Sequence, residues 1–91
     1  MTALHRTLAI VNRKGLHARA SARFVETVEA HDAIARVSRA GQTVPGDSIM
    51  GLLMLGAAKG SSIDVTCEGP AAEALMTALA VLVASRFGEK S

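Results

Sequence analysis

The sequence of residues 7–30, TLAIVNRKGLHARASARFVETVEA, decides the fold. Its first part, Thr7–Val11, favours a strand, and the turn-forming segment Asn12–Gly15 follows. From His17 to Ala30 the apolar side chains recur at helical spacing, which predicts an amphipathic helix with one buried face. The residues of that face are Leu16, Ala20, Ser21, Phe24, Val25 and Val28. His17 opens the helix beside this face and is therefore expected at the rim of the core.

The next segments predict the rest of a sheet. Ala33–Arg39 and Gln42–Val44 form a predicted hairpin around Ala40-Gly41, and Pro45 ends its second strand because proline donates no ladder hydrogen bond. Ser62–Glu68 alternates between apolar and polar residues, which is typical of a strand with one buried face. We expect this strand in the middle of the sheet, with a buried thiol at Cys67.

Two further helices complete the pattern. Ser48 is a good N-cap for a short apolar helix, because its hydroxyl can accept a hydrogen bond from an N–H two or three residues later. A last helix is predicted from Pro70, whose missing N–H is harmless in a first turn, to Gly88, which can end it. The order β-α-β-β-α-β-α predicts an α+β fold, an antiparallel sheet with helices on one face. A ferredoxin-like layout fits the same order.

Composition excludes several classes of protein. A chain of 91 residues with 49% hydrophobic residues and two aromatics predicts one domain, residues 1–91, with an aliphatic core. A net charge of +2 is too small for a strong nucleic-acid footprint. Cys67 is the sole cysteine, so no internal disulfide is expected. Without an export signal or a membrane-spanning apolar stretch, the chain is expected to be cytoplasmic and not inserted in a membrane.

Phosphate chemistry is indicated by the segment Gly15-Leu16-His17-Ala18-Arg19. A helix N-terminus offers unpaired N–H groups and the positive end of the helix dipole, so it stabilises an anion formed on His17. Arg19 can add charge-assisted hydrogen bonds. Neutral imidazole has a nucleophilic ring nitrogen at neutral pH. These residues predict a carrier of a phosphoryl group.

A second segment, Gly46-Asp47-Ser48-Ile49-Met50-Gly51-Leu52-Leu53-Met54-Leu55-Gly56, follows about thirty residues later. Together the two segments resemble the HPr family, the histidine-containing phosphocarriers of the bacterial phosphoenolpyruvate-dependent phosphotransferase system. The resemblance runs from about Leu8 to Gly88. It implies an open-faced β-sandwich of four antiparallel strands covered on one face by three helices.

The resemblance also implies the roles of individual residues. His17 would accept a phosphoryl group at Nδ1 from phosphorylated enzyme I and pass it to a IIA-type domain. Arg19 would hold the phosphoryl oxygens together with the backbone N–H groups of Ala18 and Arg19. Ser48 would be a regulatory phosphorylation site, with HPr kinase/phosphorylase as a further candidate partner. The partner-docking residues would be Ile49, Met50 and Leu53.

The chain departs from the family pattern at two positions. Ala20 stands where the family usually has proline, which adds a backbone N–H to the first turn of the helix. Asp47 precedes Ser48 where the family often has basic residues. The resemblance implies a monomer that needs no cofactor and is a relay protein and not a turnover enzyme.

Several alternatives stay open on the sequence. One is a nitrogen-type regulatory relay, in which the phosphorylation state of His17 or Ser48 controls target proteins without sugar transport. Another is an interaction module that never carries phosphate. A hydrolase built on Ser21 and His17 lacks an evident orienting acid. The three histidines and Cys67 show no spacing typical of a structural zinc site, so no metal is expected.

Overall fold

The computed structural model describes residues 3–91. The first half of this part contains strand β1 (Leu4–Ala9), helix α1 (Ala18–Glu29) and strands β2 (Ile34–Arg39) and β3 (Gln42–Pro45). Helix α2 (Ile49–Met54), strand β4 (Ser62–Glu68), helix α3 (Ala72–Ala84) and a 3₁₀ turn (Arg86–Gly88) follow. The order β-α-β-β-α-β-α and the antiparallel α+β fold predicted from the sequence are thus confirmed.

The four described strands form one sheet in the order β1-β4-β2-β3, and every neighbouring pair is antiparallel. The strand Ser62–Glu68 lies in the interior of the sheet, as predicted. A ferredoxin-like layout is excluded by the strand order, because β1 would be an interior strand there, whereas in the described sheet β1 lies at the edge and pairs with β4 alone. Ile63, Val65 and Cys67 are fully buried, whereas Asp64, Thr66 and Glu68 are only half-buried on the opposite, open face.

The first strand lies earlier than predicted, at Leu4–Ala9 and not at Thr7–Val11. The partner strand decides these bounds, because every residue of β1 pairs with a residue of β4, from Leu4 opposite Cys67 to Ala9 opposite Ser62. Ile10 is still bonded to the segment before β4, since its N–H donates to the Ser61 carbonyl and its carbonyl accepts from Gly60 N–H. Val11 lies outside the ladder and is exposed.

The core lies between the sheet and the three helices, where α1 packs against both α2 and α3. The core is mainly aliphatic, as predicted, and both phenylalanines, Phe24 and Phe87, are fully buried in it. The predicted apolar face of α1 is confirmed, since all of its residues from Leu16 to Val28 are buried.

The last helix is shorter than predicted. It begins at Ala72 and ends at Ala84, so Pro70 precedes it and Gly88 lies beyond it. Arg86 and Phe87 have φ of +59° and +55°, a left-handed conformation that non-glycine residues adopt only when their surroundings impose it. The buried ring of Phe87 supplies that constraint. This turn directs Gly88 and Glu89 back toward the start of α1, where the Cβ of an alanine at position 88 would lie 2.9 Å from a guanidinium nitrogen of Arg23.

Candidate functional site

The loop before α1 is fixed by a close backbone approach at Gly15. Leu16 N–H donates to the Ala57 carbonyl at 2.9 Å. A Cβ added at Gly15 would lie only 2.4 Å from that same carbonyl oxygen, and the φ of Gly15 is +65°. Only glycine meets both conditions without strain. The segment that follows α2 therefore holds the residue two positions before His17 in place.

His17 is the N-cap of α1 and has extended backbone angles, so the helix begins at Ala18, one residue later than predicted. Its carbonyl accepts the first hydrogen bond of the helix, from Ser21 N–H at 2.8 Å. The N–H groups of Ala18, Arg19 and Ala20 precede this ladder, so they have no partner within the helix. The imidazole makes no capping hydrogen bond, and 26% of the side chain is exposed. The ring is therefore free to interact with groups outside the helix.

The ring of His17 faces a carboxylate that the sequence motifs did not indicate. Glu89 Oε2 lies within hydrogen-bonding distance of His17 Nε2, and Glu89 Oε1 accepts a hydrogen bond from Asn12 Nδ2 at 3.0 Å. Asn12 is fully buried and also donates to the Gly15 carbonyl at 2.8 Å. Both ends of the carboxylate are thus occupied by residues of the segment that leads into α1.

The electrostatic environment of Glu89 follows from these contacts. The hydrogen bond from Asn12 is the largest effect on the pKa of this carboxyl and lowers it. Burial is the second-largest effect and raises the pKa, whereas the contacts with His17 and the charge of Lys14 lower it further, so the net shift is downward. Glu89 also lines an open cavity of about 410 Å³ beside the start of α1. Most of the side chains around this cavity are cationic: Arg13, Lys14, Arg19, Arg23 and Lys90. A negatively charged group entering the cavity would meet this excess of positive charge.

Arg19 is exposed on the first turn of α1 and lines this cavity. Its side chain lies outside the core, and it shares the lining of the cavity with Glu89, the residue that contacts His17. Ala20, at the position where the family usually has proline, is fully buried. Its small side chain packs in the core while its N–H adds to the donors at the helix start.

Ser48 is the N-cap of α2, as predicted, and its Oγ accepts a hydrogen bond from Gly51 N–H at 3.0 Å. The other end of the helix is held by Arg39, which donates to the Leu55 carbonyl at 2.9 Å. Asp47 is exposed beside this cap.

The apolar surface of α2 is divided between the core and solvent. Leu52 and Leu55 are buried, whereas Ile49 and Met50 are 40% and 68% exposed. Leu53 is half-buried. Met54 is 67% exposed and belongs to the same surface, although the sequence reasoning did not select it. We call Ile49, Met50, Leu53 and Met54 the α2 patch.

The remaining titratable candidates lie in other surroundings. His31 Nδ1 lies 2.7 Å from the Thr27 carbonyl at the end of α1, and His5 Nε2 lies 3.8 Å from Asp64 on the sheet. Cys67 is buried, as predicted, and burial raises the pKa of its thiol. Within residues 3–91, no three His, Cys, Asp or Glu side chains are grouped so that they could hold a metal ion.

In the described part of the chain, none of the helices has both the length and the apolar composition that crossing a membrane requires. The groups around His17 at the start of α1 form the candidate site: one histidine, one carboxylate, an excess of cations and helix N–H groups without partners in the helix.

The chain resembles known proteins in both sequence and fold. The family model described as "PTS HPr component phosphorylation site" matches residues 4–85. The chain is 42% identical over 86 residues to the phosphocarrier protein HPr of Cupriavidus necator, covering 94% of this chain and 97% of that protein. It is 34% identical to the phosphocarrier protein NPr of Shewanella violacea over the full length of both.

A solved structure of HPr from Thermoanaerobacter tengcongensis shares the fold, with a TM-score of 0.90 and 35% identity over all of both chains. The matched range of the family model includes the loop before α1, His17 and α2. On the fold, the family model and these relatives, the chain belongs to the HPr family of phosphocarrier proteins of the phosphotransferase system.

Proposed function

We propose that His17 accepts a phosphoryl group from phosphorylated enzyme I and passes it to a IIA-type domain. The observation that supports this most directly is the position of His17 as the N-cap of α1, where its ring lies beside N–H groups that precede the helix ladder. A helix N-terminus stabilises a phosphate through these donors and through the dipole. The chain thus acts as a relay, since the phosphoryl group leaves the same nitrogen that receives it.

The phosphoryl oxygens would be held by groups from the first turn of α1. The N–H groups of Ala18 and Arg19 are the nearest backbone donors along the chain, and the guanidinium of Arg19 provides a planar pair of donors. The cations around the 410 Å³ cavity favour the approach of the negatively charged group. No cofactor is required for this transfer.

Partner docking is assigned to the α2 patch, with Ile49, Met50 and Leu53 as its principal residues. Ile49 and Met50 are large, apolar and exposed, and flexible methionine side chains adapt to more than one partner. A relay must bind its donor and its acceptor in turn, so an adaptable surface on the helix that packs against α1 suits it. Met54 extends the same surface.

Incubation with phosphoenolpyruvate and enzyme I tests the proposal. One phosphoryl group should be added per chain, and the label should be acid-labile, as is expected of a phosphohistidine. A His17→Ala variant should take up none, whereas His5→Ala and His31→Ala variants should be labelled as the unaltered protein is. Acid-labile labelling that persists in His17→Ala would contradict the role of His17.

A second candidate function has support from the NPr relative, which is 34% identical over the whole chain. In a nitrogen-type relay the same His17 chemistry would control a target protein, and no sugar would move. Competition between a sugar-branch enzyme I and a nitrogen-branch enzyme I for the same sample separates the two. Faster labelling by the nitrogen-branch donor would favour this second function. Labelling by neither donor would favour the remaining alternative, an interaction module that never carries phosphate.

Ser48 is proposed as a regulatory phosphorylation site for an HPr kinase/phosphorylase. It lies directly before the α2 patch, so a phosphate on its hydroxyl would place nearly two negative charges beside the docking surface. The phosphate would lie at a helix N-terminus, where the dipole favours negative charge, so the fold should tolerate it.

A further inference from the structure

The carboxylate of Glu89 bridges the ring of His17 and the buried amide of Asn12. Oε2 contacts His17 Nε2, and Oε1 accepts from Asn12 Nδ2 at 3.0 Å. Only 20% of the Glu89 side chain is exposed, although it belongs to the C-terminal tail. A surface carboxylate that merely balanced the local cations would not need a buried amide to orient it.

The orientation of Asn12 is decided by its two partners. The Gly15 carbonyl and the Glu89 carboxylate are both acceptors, so the NH₂ group of the amide must face them. This leaves the buried Asn12 Oδ1 without a hydrogen-bond partner among the described residues, which is an unfavourable arrangement. The Asn12 amide therefore makes no hydrogen bond through Oδ1, while its NH₂ group binds both the Glu89 carboxylate and the loop before His17.

A carboxylate at one nitrogen of a histidine determines the chemistry of the other. A neutral imidazole has a single N–H, and an acceptor-only group beside Nε2 holds the proton there. Nδ1 then keeps its lone pair and is the nucleophilic nitrogen. Carboxylate partners fix the tautomer and ring orientation of histidines in metal sites in the same way.

We infer that Glu89, held by Asn12, is a positioning residue that keeps the proton of His17 on Nε2 and so directs phosphoryl transfer to Nδ1. This inference rests on the proposed function of His17 as a phosphoryl carrier. In this role Glu89 contacts the His17 ring and does not contact the phosphorus atom or the donor atom from which the phosphoryl group is transferred.

The transfer step balances without a proton transfer at His17. The lone pair of Nδ1 forms a bond to phosphorus while the bond between phosphorus and the donor atom breaks, and the donor atom keeps that electron pair. The ring retains its proton on Nε2 and becomes formally an imidazolium. Its positive charge then faces the carboxylate of Glu89, which stabilises it through a charge-assisted hydrogen bond. When the phosphoryl group leaves, the bonding electrons return to Nδ1.

Other charged groups also face this carboxylate, so a purely electrostatic role must be distinguished from positioning. Lys14 lowers the pKa of Glu89 through its charge, and further cations line the same cavity: Arg13, Arg19, Arg23 and Lys90. If Glu89 only balanced these cations, its removal would change the affinity of the site for anions and leave the tautomer of His17 unchanged.

The experiment measures the tautomer of His17 by nitrogen-15 NMR of the ring in the unphosphorylated protein, at a pH where the ring is neutral. The unaltered protein should show the Nε2–H form. In Glu89→Ala the ratio of the Nε2–H to the Nδ1–H form should fall about tenfold, the lower end of what one hydrogen bond to a charged group contributes. Glu89→Gln should restore part of the ratio, because its single amide oxygen can still accept from Nε2–H, whereas its NH₂ group would then face the NH₂ group of Asn12.

Glu26→Gln serves as the matched control, since Glu26 is an exposed carboxylate about 14 Å further along α1. It should leave both the tautomer and the rate of labelling by enzyme I unchanged, whereas Glu89→Ala should be labelled about tenfold more slowly. An unchanged tautomer ratio in Glu89→Ala overturns the positioning role, whatever happens to the rate.

The tautomer measurement needs no donor protein, so it separates the two proposals. If the unaltered protein is not labelled on His17 but the tautomer still depends on Glu89, the proposed function fails and the contact that orients the ring stands. If labelling slows in Glu89→Ala without a change of tautomer, Glu89 acts on donor binding and the inference is wrong.

Discussion

Glu89 and His17 lie 72 positions apart in the sequence and contact each other through Oε2 and Nε2. The contact joins the C-terminal tail to the N-cap of α1, and the ring of Phe87, two residues before Glu89, is fully buried in the core. The chemistry of the N-terminal motif therefore depends on a residue near the other end of the chain.

The first prediction concerns the pH dependence of stability. Glu89→Gln should lower the free energy of unfolding at neutral pH, and the difference from the unaltered protein should vanish in acid. The pKa of Glu89 in the folded chain lies below its ordinary value of 4.5, mainly because Asn12 donates a hydrogen bond to the carboxylate. The stabilisation is therefore fully present above the unfolded pKa and is lost as the pH falls through the folded pKa.

Urea unfolding at neutral pH and at a series of values below about 4.5 measures this difference. Glutamine is a close match in shape for protonated glutamic acid, so the two proteins should converge at the acid end. A difference that stays constant over the whole range would show that the charge of Glu89 contributes no stability.

The second prediction concerns the close approach at Gly15. Gly15→Ala should be more destabilising than Gly60→Ala, although both glycines have positive φ. A Cβ at Gly60 would meet no atom within 4 Å, so that variant should lose only the cost of a left-handed backbone, about 1–2 kcal/mol. At Gly15 the Cβ would also lie 2.4 Å from the Ala57 carbonyl oxygen. Equal losses in the two denaturation midpoints would contradict a steric role of the Ala57 carbonyl.

Most of the fold could be predicted from local patterns. The alternation from Ser62 to Glu68 gave a strand with the correct buried face, and the helical spacing after Leu16 gave α1. The position of β1 could not be predicted in this way, because its polar residues His5 and Arg6 are included only through pairing with β4. Long-range pairing with β4 does not require a periodic pattern in the sequence of β1 itself.

The residues of the candidate site also differ in whether the local sequence could predict them. His17, Arg19 and Ser48 lie in short segments whose residue types indicate helix starts and anion contacts. Glu89 lies in a polar tail, and Asn12 in a segment where asparagine is expected simply to form a turn. One signal was available, since a lone phenylalanine at position 87 in a polar tail must be buried somewhere, and burying it brings its neighbour Glu89 to the core edge.

The third prediction is that Arg19→Lys is not conservative. A planar guanidinium can bind two phosphoryl oxygens, whereas an ammonium is a point charge. Loss of one charge-assisted hydrogen bond of about 1.5–3 kcal/mol would slow transfer roughly ten- to a hundredfold if the bond forms in the transition state. Stability should change little, because Arg19 is exposed.

The matched control for this variant is Arg36→Lys. Arg36 donates to Glu68 at 2.8 Å on the open face of the sheet, so this substitution alters an exposed ion pair outside the proposed site. Labelling by enzyme I at several concentrations of the carrier separates slower transfer from weaker docking. Equal maximal rates for Arg19→Lys and Arg36→Lys would assign no phosphoryl contact to Arg19.

The last prediction concerns the charge that Ser48 carries. Ser48→Asp and Ser48→Asn should both keep the fold, because aspartate and asparagine cap helices about as well as serine and can replace its hydrogen bond to Gly51 N–H. Only the aspartate adds a negative charge beside the α2 patch, where Asp47 is already exposed. Labelling of His17 should therefore slow in Ser48→Asp and stay unchanged in Ser48→Asn.

Phosphoserine carries more charge and more acceptor oxygens than aspartate, so protein modified by an HPr kinase should be slower still. Because a charge at the rim of an interface acts mainly on the rate of encounter, the slowing should weaken as salt is added. Circular dichroism and thermal unfolding of the same samples establish that the fold is intact. If stoichiometrically modified protein is labelled as fast as unmodified protein at low salt, Ser48 serves α2 as a cap and has no influence on the relay.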